Sequence, residues 1–480
     1  DALANNLEGL RNRSNAEDRA LLDKLTEITA KLANLVLSGP GKTSLPEHLQ
    51  QIKTLTGQRD ALESEIGKRS AGYYQSSAGV TLNAVQASIP ADAALVEYAV
   101  YEPNDPKQPD ESSTHLGEKR YAAYVITGNE VRSTDLGDAK TIDAAISALR
   151  RALRDPESHN IKKMARAVDE KIMRPVRALA GNPRHLLIAP DGQLDLIPFE
   201  ALVDENGHYL VEQCLFTYLS TGRDLLRMET PRAGSTDVAV VADPNFGEPK
   251  VRTVSAAPNT RAHSTTRSIS RGNDSSSIYF APLEGTKAEA QAIRSLFHQA
   301  QVFTGDQATK AMLLGLNAPG ILHIATHGFF LEGPKKDGWV GIFMSNTQAG
   351  TSSEDVENPL LRSGLALSGA NLNRRGGDSG ILTALEASNL NLWGTKLVTL
   401  SACDTGIGEV RAGEGVFGLR RAFVLAGAES MVMSLWPVSD YTTREMITAY
   451  YTGLKNGRGR GEALRQAELS MLKHQGREHP

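Results

Sequence analysis

Apolar and polar positions change period along the chain, and each change marks an element boundary. From Asn15 to Leu37, Leu21, Leu22, Leu25, Ile28, Leu32 and Leu35 recur at three- and four-residue steps, the period of a helix with one apolar face. Gly39-Pro40-Gly41 interrupts the pattern. A second helical stretch follows, with Ser44 near a cap position, Pro46 in the first turn, and Leu49, Ile52, Leu55, Leu62 and Ile66 on one side. The two predict a helical hairpin. Past residue 80 the texture shortens: residues 94–101 and 121–128 read as strands, 143–179 as a long polar helix, and 184–192 as a strand leaving on a turn. Residues 237–244, 320–328, 396–403 and 430–438 are near-continuous apolar runs, separated by helical patterns at about 286–298, 413–427 and 441–455. Strands buried on both faces that alternate with helices predict an α/β layer with a mostly parallel sheet.

Two stretches escape this alternation. Residues 251–277 are rich in Ser and Thr, lack aromatic residues and carry Arg252, Arg261, Arg267 and Arg271, which predicts a mobile loop. Residues 331–380 read as a second irregular stretch around the more apolar NPLLRSGLAL, of a length expected for a lid or an insertion.

At 480 residues the chain is long enough for two or three domains. Its 52 basic and 56 acidic side chains give a net charge of -4 without a long run of one sign, so neither a nucleic-acid stripe nor a membrane anchor is indicated. No apolar stretch is long enough to cross a bilayer, and the N-terminus has no secretory pattern. Two cysteines in such a chain fit a reducing compartment, so a cytoplasmic location is expected. The first residue is Asp1, so the sequence is expected to be part of a longer protein.

Candidate chemistry sits at strand ends. In an open α/β sheet, ligands bind beyond the carboxyl ends of the parallel strands. His327 closes GILHIATHG and Cys403 closes KLVTLSAC, so if the two strands are neighbours their side chains can meet. A cysteine within reach of a histidine is the minimum for nucleophilic catalysis. The N–H groups of Gly328 and Cys403 are candidates for an oxyanion hole. Taken alone, a cysteine at a strand end is more often a small buried hydrophobe. His323 reads as a core hydrogen-bonding residue and Cys214, inside VEQCLFTYL, as packing. HExxH and CxxC are absent, so neither metal nor cofactor is expected. GPGKTS imitates a phosphate loop, but Val36 stands where its first glycine belongs and a helix precedes it.

LHIATHGFF, NPLLRSGLALSGAN, LVTLSACDTGIGEVRAGEGVFG, LLIAPDGQLDLIPFEAL and VADPNFG together resemble the CHAT domain, a caspase-like (clan CD) cysteine peptidase family often fused to tetratricopeptide repeats and related to separase. The resemblance runs from about residue 90 to the end, with the His-Gly pair and the Ala-Cys-Asp-Thr-Gly turn about 75 residues apart. It implies a caspase-haemoglobinase-like, mostly parallel sheet flanked by helices, with Cys403 and His327 as a dyad. It further implies three parts. Residues 1–80 form a hairpin joined to a repeat array outside this sequence, 81–230 a degenerate noncatalytic half, and 231–480 the catalytic half with a mobile loop at 247–278. In the family a Trp-bearing strand follows the last helix, whereas this sequence ends at KHQGREHP, so a missing edge strand is expected.

LWPVSDYTTRE resembles the separase segment whose acidic residue lines the pocket for an arginine before the cut. Here that residue is Asp440, with Trp436 as a wall and Asp404 nearby; a carboxylate in such a pocket favours a guanidinium. Asp440 serves equally as the cap of a helix starting at Tyr441. With a basic pocket, Arg252, Arg261, Arg267 and Arg271 become candidate self-cleavage sites. The expected partners are a protein substrate and a regulatory protein bound through the repeats. The rival reading is a catalytically silent caspase-like scaffold. A glutamine-amidotransferase-like elbow is disfavoured because Ser401 replaces the first glycine of G-x-C-x-G.

Overall fold

The computed structural model describes residues 16–39, 43–70, 80–104, 117–155, 157–181, 183–229, 232, 234–248, 270–271, 278–330, 358–372, 379–402, 409–411, 415–436 and 439–473. In chain order its elements begin with α1 (Ala16–Ser38), α2 (Leu45–Ser70) and α3 (Leu82–Ala87). Then come β1 (Ala93–Tyr101), β2 (Arg120–Ile126), β3 (Val131–Asp138), α4 (Ala139–Arg154), α5 (Ile161–Ala180), β4 (His185–Ala189), β5 (Leu215–Tyr218) and α6 (Arg223–Met228). The next run is β6 (Val238–Pro244), β7 (Ser270–Arg271), β8 (Ile278–Tyr279), α7 (Glu284–Leu296), β9 (Gln301–Gly305), α8 (Lys310–Leu314), β10 (Ile321–Ala325) and β11 (Gly328–Phe330). Last are β12 (Ser363–Ala366), β13 (Ile381–Thr383), α9 (Ala384–Ala387), β14 (Leu397–Ser401), β15 (Glu409–Arg411), β16 (Gly415–Phe417), α10 (Leu419–Leu425), β17 (Met431–Met433), α11 (Asp440–Lys455) and α12 (Arg460–Leu472).

The chain divides into two compact units. One comprises residues 1–78, 232–409 and 417–445 and is built on a sheet of order β17-β14-β10-β6-β9, every adjacent pair parallel. By order of appearance these strands run 2-1-3-4-5, a doubly wound arrangement whose direction reverses between β6 and β10. Every residue of β14 is buried, as expected of a strand covered on both faces. Ala239, Val241, Leu322, Ile324, Val398 and Leu400 alternate onto one face of the sheet. They meet Leu385 of α9, Phe423 of α10, and Leu32, Ala33 and Ile52 of α1 and α2, so the helical pair shares this core. Ser44 and Glu47 close a reciprocal cap at the start of α2, satisfying N–H groups that the first turn leaves without partners.

The other unit comprises residues 79–231, 410–416 and 446–480. Its sheet has the order β3-β2-β1-β4-β5, antiparallel from β3 to β1 and parallel from β1 to β5. The architecture is thus α/β, with mixed sheets flanked by helices and an N-terminal helical pair.

Three expectations are corrected. The helix predicted over 143–179 is two, α4 and α5, because Asp155 precedes Pro156 and takes an extended conformation (φ -105°, ψ 105°) that ends α4. The irregular stretch predicted over 331–380 holds ordered structure wherever it is described: β12 pairs with β11 and with β13 in an antiparallel sheet. Its apolar centre, Leu360, Leu361, Leu365 and Leu367, is buried in the core of this unit, which offsets the entropy of ordering it. The helix predicted over 413–427 is confined to α10, because the ladder β15–β16 takes the Gly-rich part. Most of the loop expected to be mobile lies outside the described residues, apart from Ser270 and Arg271, which pair with Tyr279 and Ile278.

Candidate active site

Strand β10 is the centre of the fully parallel sheet, and β14 lies directly beside it in the register Ile321↔Leu397 through Ala325↔Ser401. His327 and Cys403 each follow two residues beyond the final pair. The condition set by the sequence, that the two strands be neighbours, is met. Cys403 and Asp404 themselves lie outside the described residues.

The turn carrying His327 is fixed by β12. The Thr326 hydroxyl donates to the Ala366 carbonyl, and the Ala366 N–H donates to the His327 carbonyl at 2.9 Å. That second bond makes His327 and Ala366 a hydrogen-bonded pair of the antiparallel ladder. The next pair, Gly328↔Leu365, is therefore of the alternate kind, with the Gly328 N–H directed away from β12. Among the described residues β11 is the outer strand of its sheet, so this N–H faces off the edge.

The imidazole is 1% exposed and packed between aromatic rings, with Phe246 at 5.3 Å and Phe280 at 5.8 Å between centroids. Phe280 also lies 6.2 Å from Phe329, so the histidine is braced by a small apolar cluster. Its Nε2 is 2.8 Å from the Ala281 carbonyl oxygen. A carbonyl can only accept, so Nε2 carries the proton and Nδ1 is the basic nitrogen of the neutral ring. Four residues upstream on the same strand, buried His323 places Nε2 3.1 Å from the Glu289 carboxylate of α7. This agrees with a core role for His323.

The other predicted residues are distributed as follows. Trp436 is half-buried just past β17. Asp440 is the first residue of α11, one position earlier than predicted, and the Ser439 carbonyl accepts from the Thr443 N–H and the Thr442 hydroxyl. Arg271 belongs to β7, whereas Arg252, Arg261 and Arg267 lie outside the described residues. Cys214 is buried, its Sγ 3.9 Å from the Leu210 carbonyl oxygen, and burial pushes its thiol up to about 12, which keeps it protonated and inert. In the segment that imitates a phosphate loop, α1 continues through Val36 to Ser38 where the motif needs a strand; residues 40–42 lie outside the described residues. No helix among the described residues is long and apolar enough to cross a membrane.

Sequence reasoning missed Ala281, Phe246 and Phe280. The Ala281 contribution is a backbone carbonyl, which no side-chain pattern can reveal. Phe246 falls within the quoted VADPNFG, where its spacing to the histidine, 81 residues on, exists only after folding.

A parallel α/β core whose central strands end in His-Gly and Ala-Cys-Asp-Thr-Gly is the arrangement of caspase-like, clan CD cysteine peptidase families. Residues 162–480 match the CHAT domain, and the chain belongs to that family. It is similar to Tetratricopeptide repeat protein 28 of Homo sapiens, 27% identical over 320 residues covering 62% of this chain and 12% of the human protein. The same protein of Mus musculus is 26% identical over 327 residues, 62% of this chain and 12% of the mouse protein. The chain therefore spans about an eighth of the length of these curated relatives.

Proposed function

We propose that the chain is a cysteine endopeptidase acting through Cys403 and His327. The observation that carries this reading is the in-register adjacency of β10 and β14, each ending two residues before one member of the pair. The hydrogen bond to Ala281 supports it by leaving Nδ1 as the nitrogen that exchanges protons. In the reaction His327 takes the thiol proton, and Cys403 sulfur attacks the peptide carbonyl to form a tetrahedral oxyanion. The N–H groups of Gly328 and Cys403 stabilise that charge. Collapse breaks the C–N bond, His327 returns its proton to the departing amine, and a thioester remains. Water then attacks the thioester carbonyl, releasing the new carboxyl terminus and the thiol.

Asp440, with Trp436 and Asp404, is proposed to select Arg or Lys before the cut, and Arg252, Arg261, Arg267 and Arg271 are proposed self-cleavage sites. Residues 81–230 are proposed to be a noncatalytic half, and residues 1–80 the joint to repeats that bind a regulatory partner. Similarity to a protein named for tetratricopeptide repeats supports the last point. The test is turnover of a fluorogenic peptide panel varied before the cut, by this chain and its Cys403→Ala and His327→Ala variants. Turnover lost in both variants is the expected result. Silence of the unaltered chain across the panel, with repeats and candidate partners added, would leave the caspase-like scaffold as the better reading.

A further inference from the structure

Strand β6 carries an irregularity that the sheet does not need. Its pairing with β9 steps from Val241↔Phe303 to Pro244↔Gly305, three residues against two, so one extra residue is bulged out at the carboxyl end. Within that bulge Asp243 has φ 47°, left-handed backbone that L-residues other than Asn and Asp seldom adopt. A bulge re-aims a side chain and a left-handed residue stores strain, and both concentrate at functional sites. The distortion is held in place: the Asp243 N–H donates to the Thr286 hydroxyl at 3.0 Å, and that hydroxyl donates to the Leu283 carbonyl at 2.8 Å.

The place matters as much as the shape. Strand β6 borders β10 across the point where the winding of the sheet reverses, and Ala242 pairs with Ala325, two residues before His327. Three residues beyond Asp243, the Phe246 ring packs on the histidine. Asp243 is thus a half-buried residue on the strand beside β10, at the same end of the sheet as the histidine. Among the described residues no hydrogen bond or ion pair engages its carboxylate. Burial raises its pKa, the charge of Lys287 opposes that rise and the charge of Glu284 adds to it. Such an anion gains most from a cation brought by a ligand.

We infer that Asp243 is a specificity-determining residue whose carboxylate receives a Lys or Arg side chain of the peptide, within two residues of the scissile bond. The inference rests on the peptidase reading and adds a second acidic position to the one proposed at Asp440. Asn and Gly both accept the left-handed backbone, so Asp243→Asn and Asp243→Gly remove the charge without refolding the bulge.

The experiment measures kcat/KM for matched peptides carrying Lys, norleucine or Glu at each position flanking the cut. The unaltered chain is expected to favour Lys over norleucine at one position by about tenfold or more, and both variants to bring that ratio close to one. A ratio unchanged in both variants overturns the inference, as does an equal fall on all peptides, which marks a structural role. A Lys preference abolished by Asp440→Asn but untouched by Asp243→Asn also overturns it. If the unaltered chain cleaves nothing, the peptidase reading has failed separately. Fluorescence anisotropy of the same peptides on Cys403→Ala, with and without Asp243→Asn, then decides: Lys-selective binding lost with Asp243 supports the carboxylate's role, and unselective or absent binding removes it.

Discussion

The two units present the same edge with opposite economies. In one, parallel strands β6, β10 and β14 end beside LHIATHG and LVTLSAC; in the other, parallel strands β1, β4 and β5 end beside LLIAPDG and LFTYLSTG. Carried one residue past Ile188↔Tyr218 to Ala189, the last residue of β4, and Leu219, the register places Asp191 and Thr221 two residues on, as His327 and Cys403 follow Ala325↔Ser401. Asp191 is consumed by its own backbone, accepting from the N–H groups of Val100 and Gly192, each at 2.8 Å. The Thr221 hydroxyl and the Gly222 N–H both donate to Glu97. His327 is instead held by one carbonyl, which fixes its proton on Nε2, and by two phenyl rings. The polar groups at the first of these places are spent on the fold, whereas on the proposed peptidase reading the second braces a basic group against an apolar wall.

The largest effect that tests this contrast is loss of turnover. Cys403→Ala or His327→Ala is expected to lower kcat/KM on any cleaved peptide by roughly 10³-fold or more, whereas Asp191→Ala should leave kcat unchanged. The aspartate variant should instead lose ~1–3 kcal/mol of stability, because one buried and one half-buried N–H group lose their acceptor. Denaturation curves read beside the kinetics separate the outcomes. A stable Asp191→Ala that is catalytically dead would erase the distinction between the edges.

The next effect compares the two cysteines. With the Cys214 thiol pushed up to about 12, its thiolate is scarce at neutral pH. Iodoacetamide at pH 7.5 should modify Cys403 at least ~100-fold faster than Cys214, by peptide mass mapping of the native protein. His327→Ala should slow Cys403 and leave Cys214 as it was. Equal labelling of both thiols would remove the case for an activated sulfur.

Much of this edge was legible in the sequence, for physical reasons that differ by residue. Near-continuous apolar runs at 320–328 and 396–403 announce strands covered on both faces, and the residue types that follow them announce chemistry. Their adjacency and register were not legible, because parallel pairing joins segments about 75 residues apart through the packing of everything between. The ladder β11–β12–β13 was missed because its strands are three or four residues long, too short to show a period against Gly-rich flanks. The bulge at Asp243 left no trace in the pattern, since Asp beside Pro reads equally well as an ordinary turn.

A smaller effect is expected from loosening the wall behind the histidine. Phe280 is 1% exposed and touches Phe246, His327 and Phe329. Phe280→Leu keeps the site apolar but removes the flat ring, and should lower kcat roughly 10–100-fold while costing only ~1–2 kcal/mol of stability. Activity at the level of the unaltered chain, with stability lowered as predicted, would show that the ring supports the fold rather than the orientation of His327.

The smallest effect lies in the other unit and is read by pH. Glu200, bonded to the Tyr218 hydroxyl, and Glu468 of α12 are both raised, chiefly by burial; the charge of Glu200 also raises Glu468, and both carboxylates raise the tyrosine. Arg465 opposes this for Glu468, although its guanidinium is already donating to the Val211 and Glu212 carbonyls. A carboxyl group whose value is higher folded than unfolded holds its proton more tightly in the folded state. Its contribution to stability is therefore complete below the ordinary carboxylate range and declines as pH rises through the folded value. Thermal melts should accordingly show the unit losing stability between pH 5 and pH 8. Glu468→Gln, neutral at every pH, should raise the melting temperature at pH 8 by about 2–4 °C and leave it nearly unchanged at pH 5. A variant that melts lower than the unaltered chain at pH 8 would mean that ionised Glu468 is stabilised by Arg465 after all. The unit would then hold a working ion pair rather than a strained pair of carboxyls.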